Sequence, residues 1–177
     1  MELFWSNGYE ATGMTDLLDH MGIQRQSFYN TFESKKRVYL EAVEVYARQM
    51  LHSIREILTA PGDPLENFQR VFAFWEGLSK EHVCCGCLLG NAIAEFGIND
   101  EAVSAMLKTH LEGMEDVFHD GFKRAVDEGR LPGDRNPRAL ARMLVTVGQG
   151  LALLSKTGME PEKLREVMKT TQQVLLT

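Results

Sequence analysis

The sequence predicts an all-α fold: a three-helix head containing a helix-turn-helix, followed by a larger helical body. Three observations predict it. Apolar residues recur at helical spacing along nearly the whole chain. Glycine and proline interrupt that pattern where helices would stop or start, at Gly8, Gly22, Pro61, Pro64, Gly97, Gly129, Pro132, Pro137, Gly158 and Pro161. No run of alternating β-branched residues offers a strand.

In chain order, Leu3, Phe4 and Tyr9 read as the end of a first helix and its exit, with Gly8 as the stop. A second helix spans about 14–21, with Thr12 near its N-cap and Leu17, Leu18 and Met21 turned inward. Gly22 supplies a turn that a side chain would obstruct. A third helix spans about 25–31 and buries Ile23, Phe28 and Phe32; Gln24 is a weak cap, so this helix leans on tertiary packing. Ser34 caps a long helix to about residue 58, with Val38, Ala42, Val45, Met50, Ile54 and Ile57 at helical spacing. The segment 60–64 (Ala-Pro-Gly-Asp-Pro) stops it. Five further helices follow, over about 65–79, 87–96, 101–127, 137–156 and 161–175. Pro64, Pro137 and Pro161 fall at helix starts, where the missing N–H costs nothing. The expected division is a head at 1–48 and a body at 49–177.

A chain of 177 residues that is 44% hydrophobic can bury a sizeable core. No apolar run reaches membrane-spanning length, and the opening Met1-Glu2-Leu3-Phe4-Trp5 lacks the basic stretch of a signal peptide, so a cytoplasmic protein with no membrane partner is expected. Net charge is −6, unsuited to coating nucleic acid non-specifically. The charge is uneven, however. Between residues 22 and 40, Arg25, Lys35, Lys36 and Arg37 oppose Glu33 alone. A small basic face on an acidic body suits docking on phosphates in one orientation.

The two short helices joined at Gly22 outline a unit whose second helix can lie in a DNA groove. Arg25, Gln26, Tyr29 and Asn30 fall on one face of that helix, and Phe28 and Phe32 on the other. Arginine pairs best with guanine edges, glutamine and asparagine with adenine. Gln24, Arg25, Gln26, Ser27 and Asn30 are therefore the candidate base readers. Thr12, Tyr29, Thr31 and Lys35 are the candidate phosphate contacts. About three cationic contacts per subunit, doubled in a dimer, imply a log–log salt slope near −5.

The motif Phe4, Gly8-Tyr9-x-Ala11-Thr12, Gly22-Ile23, Phe28-Tyr29-x-x-Phe32 and Ser34-Lys35 resembles that of the TetR/AcrR family of transcriptional regulators. Gly86-Cys87-Leu88-Leu89-x-Asn91 is similar to a segment common in part of that family. The resemblance implies an all-α homodimer, one DNA-binding head per subunit, a ligand or signal pocket in the body, and repression relieved when a ligand binds. Two departures stand out. The family's first helix is usually longer, with a basic lead-in, and this sequence opens inside it. Leu18 and Met21 occupy positions where small residues are usual, so the packing between the two short helices should differ slightly.

Cys84, Cys85 and Cys87, with His82 beside them, form a second unusual feature. An odd number of cysteines in one cluster is not a disulfide framework. Three readings stand side by side: a small apolar residue facing the interior, a thiol that senses oxidants or electrophiles, and a soft-metal site for which Cys84-x-x-Cys87 is only half the usual ligand set. No cofactor and no metal is expected. The enzyme alternative, a thiol–disulfide oxidoreductase using Cys84 and Cys87, lacks a βαβ context. Paired carboxylates, a phosphate loop and a nucleophile elbow are also missing from the sequence.

In the body, Phe72, Trp75, Cys87, Asn91, Glu95, Met106, His110, Met114, Phe118, Phe122, Met143 and Val147 are expected to line a cavity for an unidentified small-molecule effector. Leu140, Met143, Leu144, Val147, Leu151 and Leu154, with Gly148 and Gly150 allowing close approach, suggest a dimer contact. Leu164, Val167, Met168, Thr171 and Leu175 add a second stripe. Two-fold symmetry would set the paired recognition helices about 34–36 Å apart, or a multiple of that, on a palindromic double-stranded operator.

Overall fold

The computed structural model describes residues 1–81 and 85–177. Among the described residues the regular elements are all helices: α1 (Glu2–Asn7), α2 (Met14–Met21), α3 (Arg25–Phe32), α4 (Lys35–Thr59), α5 (Pro64–Glu81), α6 (Leu88–Phe96), α7 (Glu101–Asp127), α8 (Pro137–Ser155) and α9 (Pro161–Leu175). Their ends follow local chemistry. Ser34 Oγ, Asp100 Oδ1 and Asn136 Oδ1 each accept the backbone N–H three residues on, capping α4, α7 and α8. Gln24 makes no side-chain cap, as its weak capping chemistry predicts.

Gly22 ends α2 at φ 65° and ψ 30°. Its N–H reaches the Asp19 carbonyl, and the Ile23 N–H reaches that of Leu18 at 3.2 Å. This crossed pair of bonds needs a left-handed residue, which glycine adopts without strain. The turn fixes the angle at which α3 leaves α2.

Two apolar clusters organise the chain. The upper one joins the head to α6 and the start of α7 through Phe4, Trp5, Leu17, Phe28, Tyr39, Tyr46, Leu88 and Leu107. The lower one packs the second half of α4 against α5, α7, α8 and α9 through Ile54, Phe68, Phe72, Phe118, Phe122, Leu144 and Leu175. Phe68 and Phe122 stack with centroids 4.1 Å apart. Helix α4 belongs to both clusters and runs unbroken through residues 48 and 49. Its inward stripe is Tyr39, Val43, Tyr46, Ala47, Ile54 and Leu58. The expected stripe shared only Ile54 with it, and Val45 is 38% exposed. The two tyrosines set the phase, because their rings bury more apolar area than the valine and alanine beside them.

Candidate nucleic-acid interface

Helix α3 presents the face expected of it. Phe28 is fully buried and packs edge-on against Tyr29 at 5.4 Å and beside Phe32 at 5.5 Å. Gln24, Arg25, Gln26, Ser27 and Asn30 are all exposed. Gln26 Nε2 donates to Asn30 Oδ1 at 3.0 Å, so the two amides orient each other across one helical turn. Arg25 makes no ion pair among the described residues. Tyr29 lies half out of the surface.

Two expected phosphate contacts have partners inside the protein. Thr12 is fully buried, and its hydroxyl donates to the Gly8 carbonyl at 2.6 Å. It locks the turn between α1 and α2 and cannot reach a phosphate. Lys35 is half-buried; its Nζ donates to the carbonyls of Tyr9 at 2.8 Å and Thr12 at 2.9 Å and sits 4.2 Å from the Tyr9 ring centre. That ammonium pins the start of α4 to the turn before α2. Thr31 is exposed but gives its hydroxyl hydrogen to Ser27. Lys36 pairs with Asp100, whose carboxyl is held below its ordinary range first by that hydrogen bond. Arg37 pairs with Glu41 at 2.9 Å on an exposed helix face.

Sequence reasoning missed Glu33. It joins α3 to α4 at φ 63° and ψ −45°, and the Ser34 N–H donates to the Phe32 carbonyl at 2.6 Å. This is a three-residue γ-turn of the rare positive-φ kind, a strained conformation for a residue with a side chain. Among the described residues, Glu33 alone of the non-glycines has positive φ. No local sequence signal marks a glutamate for such a turn.

The expected effector lining does not come together. Phe72, Phe118 and Phe122 are shut inside the lower cluster, with Trp75 and Met114 packed on it. Met106 and Cys87 pack on the upper cluster. Asn91 is buried, donating to the Cys85 carbonyl and accepting from Lys156 Nζ at 2.9 Å. His110 is half-buried near Glu44 and Arg48 of α4; burial, chiefly, lowers its pKa, with Arg48 adding and Glu44 opposing. Met143 is largely exposed and Val147 half-buried. Glu95 lies at the junction of head and body, where its carboxylate accepts the Tyr9 N–H at 2.9 and 3.1 Å. A hollow of about 330 Å³ lies at the corner of α4 and α7, bordered by Arg55, Leu58, Pro61, Val117, Asp120 and Arg124. None of the expected lining residues borders it.

The expected dimer stripe is divided, with Met143, Leu154 and Val167 of it left outside. Leu140 and Leu144 are buried in their own subunit's core. Gly148 admits the Trp75 ring, which would lie 3.2 Å from an added Cβ, so this glycine serves α8 against α5 within one chain. Leu151, Leu164 and Met168 are half-buried. The apolar residues left outside are Met143, Leu153, Leu154, Val167 and Val174, with Leu153 60% exposed. The amphipathic period allows several phases, and contact with α5 and α7 selects this one.

Cys84 and His82 lie outside the described residues. Cys85 and Cys87 are half-buried. Cys87 is the N-cap residue of α6, and its Sγ accepts from Tyr46 Oη at 3.7 Å and Gln149 Nε2 at 3.8 Å. Burial, with the Cys87 sulfur beside it, pushes the Tyr46 hydroxyl well above its ordinary pKa. No group of three or more metal-ligating side chains occurs among the described residues. No helix among them is long and apolar enough to cross a membrane.

A buried-backed, polar-faced second helix set by a left-handed glycine turn defines a helix-turn-helix DNA-binding protein. Comparison with known proteins makes the class specific. Residues 1–42 match the N-terminal model of the tetR family of bacterial regulatory proteins, and residues 64–171 match the tetracyclin repressor-like C-terminal domain. The chain belongs to the TetR family of transcriptional regulators. It is 32% identical to the HTH-type transcriptional regulator YezE of Bacillus subtilis, over 99% of this chain and 91% of that protein. It is 26% identical to the HTH-type transcriptional repressor DhaR of Mycobacterium sp. (strain GP1), over 99% of this chain and 87% of that one. The structure of a cysteine mutant of the TetR-family regulator CifR, complexed with a 26-bp double-strand operator DNA, superposes with a TM-score of 0.83 at 25% identity, covering 97% of this chain and 90% of that one. These relatives are named as regulators of transcription and not as enzymes.

Proposed function

We propose that this transcriptional regulator is a homodimeric repressor that grips a palindromic operator with two copies of α3 and lets go when a signal reaches its body. The observation that carries the reading is the α3 face. Five polar side chains stand in solvent over a fully buried Phe28, with no ion pair diverting Arg25 among the described residues. Arg25 suits a guanine edge. The Gln26–Asn30 bond leaves one amide carbonyl and one amide N–H₂ for an adenine edge. Gln24 and Ser27 flank them, and Tyr29 and Thr31 face the phosphates. Repression is supported by relatives such as DhaR, which is named a repressor.

Dimerisation is supported by the exposed apolar residues of α8 and α9. Three of them, Met143, Val167 and Val174, border a hollow of about 290 Å³ that Glu166, Thr170 and Thr171 also line, a seat for a side chain of the second copy. For the signal, Cys87 is the favoured receiver. Its sulfur links α4, α6 and α8 through Tyr46 and Gln149, so oxidation or alkylation would break both contacts at once. A small-molecule effector is the second reading, supported by the hollow between α4 and α7.

Selection of bound DNA from a random pool tests the function. A two-fold symmetric consensus, retained by a particle of twice the chain mass, is the expected result. An asymmetric consensus or a monomer on the DNA refutes it. Operator release by peroxide or N-ethylmaleimide that disappears in Cys87→Ser supports the thiol signal, and release that persists refutes it.

A further inference from the structure

Glu95 is engaged with the head rather than the body. Its carboxylate takes the Tyr9 N–H on both oxygens, and a Cβ on Gly8 would lie 2.6 Å from its Oε1. Gly8 stands at φ 82°, so glycine serves here both for its backbone angle and for the close approach. The carbonyl of the same Tyr9 is taken by Lys35 from the start of α4. The backbone of one head residue is thus held from both sides, by a body carboxylate and by the lysine that follows the recognition helix. The Tyr9 ring closes the joint, 5.1 Å from both Tyr39 and Phe96.

The other end of α6 is tied to α8. Lys156 Nζ donates to Asn91, and Gln149 Nε2 to Cys87. Gly86, just before α6, accepts from Trp5 Nε1 at 2.9 Å. The N-terminal end of α6 therefore rests both on α8, which carries much of the proposed dimer face, and on α1 of the head through Trp5, while its C-terminal end rests on the turn that seats α2 and α3.

We infer that Glu95 is a positioning residue for DNA binding: through Tyr9 it sets the angle of each head on its body, and hence the spacing between the two recognition helices. The inference rests on the two-headed reading above. Inserting or deleting one base pair between half-sites moves them by about 3.4 Å and turns them by about 35°. A protein with fixed heads must resist that change, whereas one with loosened heads tolerates it.

The test measures affinity for the selected palindrome and for versions with one central base pair added or removed. The native chain should bind the altered sites at least about tenfold more weakly, a difference of about 1.4 kcal/mol. Glu95→Ala should shrink that penalty to within about threefold, with base preference inside each half-site unchanged. Glu95→Gln keeps an oxygen for the Tyr9 N–H and should restore most of the discrimination. Gly8→Ala should imitate Glu95→Ala, because its Cβ displaces the carboxylate. If Glu95→Ala weakens every spacing equally, or keeps the native spacing profile, Glu95 is a structural residue only and the inference is overturned. A native chain indifferent to spacing overturns the two-headed reading itself, and this inference with it.

Discussion

Replacing Lys35 with methionine separates two physical roles for one side chain. The substitution keeps the aliphatic stem and deletes the ammonium. In the structure that ammonium makes two charge-assisted hydrogen bonds, to the carbonyls of Tyr9 and Thr12, and stands over the Tyr9 ring. Such bonds contribute about 1.5–3 kcal/mol each when water is excluded. Lys35 is half-buried, so solvent can replace part of what is lost, and a net destabilisation of about 2 kcal/mol is expected. For a chain of this length that lowers Tm by roughly 4–8 °C. Calorimetry reads the shift directly. A phosphate contact would behave differently: its loss in a dimer would make the log–log salt slope of operator binding shallower by about 1.8, with Tm unchanged. With Lys35 engaged inside the protein, Lys35→Met should leave the salt slope of operator binding unchanged. An unchanged Tm together with a slope shallower by about 2 in Lys35→Met would refute the structural assignment.

Other substitutions address other parts of the molecule. Leu144→Ala removes a fully buried side chain and should cost about 2–5 kcal/mol in chemical denaturation, whereas Leu153→Glu should leave the fold of each subunit intact and convert the proposed dimer to monomers in sedimentation. Arg25→Ala should cost about 1–3 kcal/mol in operator affinity and relax preference at one base position, checked by repeating the selection; uniform loss across sequences would make it a phosphate contact. Glu33→Gly should stabilise the fold by about 1 kcal/mol by relieving the positive-φ γ-turn, less glycine's added unfolded-state entropy, as read from the denaturation midpoint. His110 has a folded pKa below its ordinary 6.5, so the unfolded chain takes the proton first. Its contribution to stability is complete above that pH and falls as pH drops from about 6.5 toward the folded value. His110→Gln should flatten the Tm profile in that window.

The three-helix head was legible in the sequence because its determinants are local. Gly22 permits a left-handed turn whatever surrounds it, Ser34 caps α4 from three residues away, and Phe28 and Phe32 recur on one side of a helix whose other side is polar. The bounds of α2, α7 and α9 agree with the expected ones for the same reason, since glycine, proline and capping residues act within a turn or two. Sequence could not decide what depends on residues far apart in the chain. Lys35 and Thr12 are polar and near the recognition helix, but whether they face DNA or the protein depends on where the Gly8–Tyr9 turn folds back. Glu95 looks like a polar lining residue until α6 is placed against a head 86 positions earlier in the chain. Leu140 and Leu144 fit a dimer stripe as well as Leu153 and Leu154 do, because a 3.6-residue period marks an apolar side without saying what covers it. The sequence by itself therefore determined the helices, their order and the polar side of α3. Only the tertiary structure decided which polar groups are consumed inside the protein and which apolar ones are left outside, because both depend on contacts between helices that no local pattern encodes.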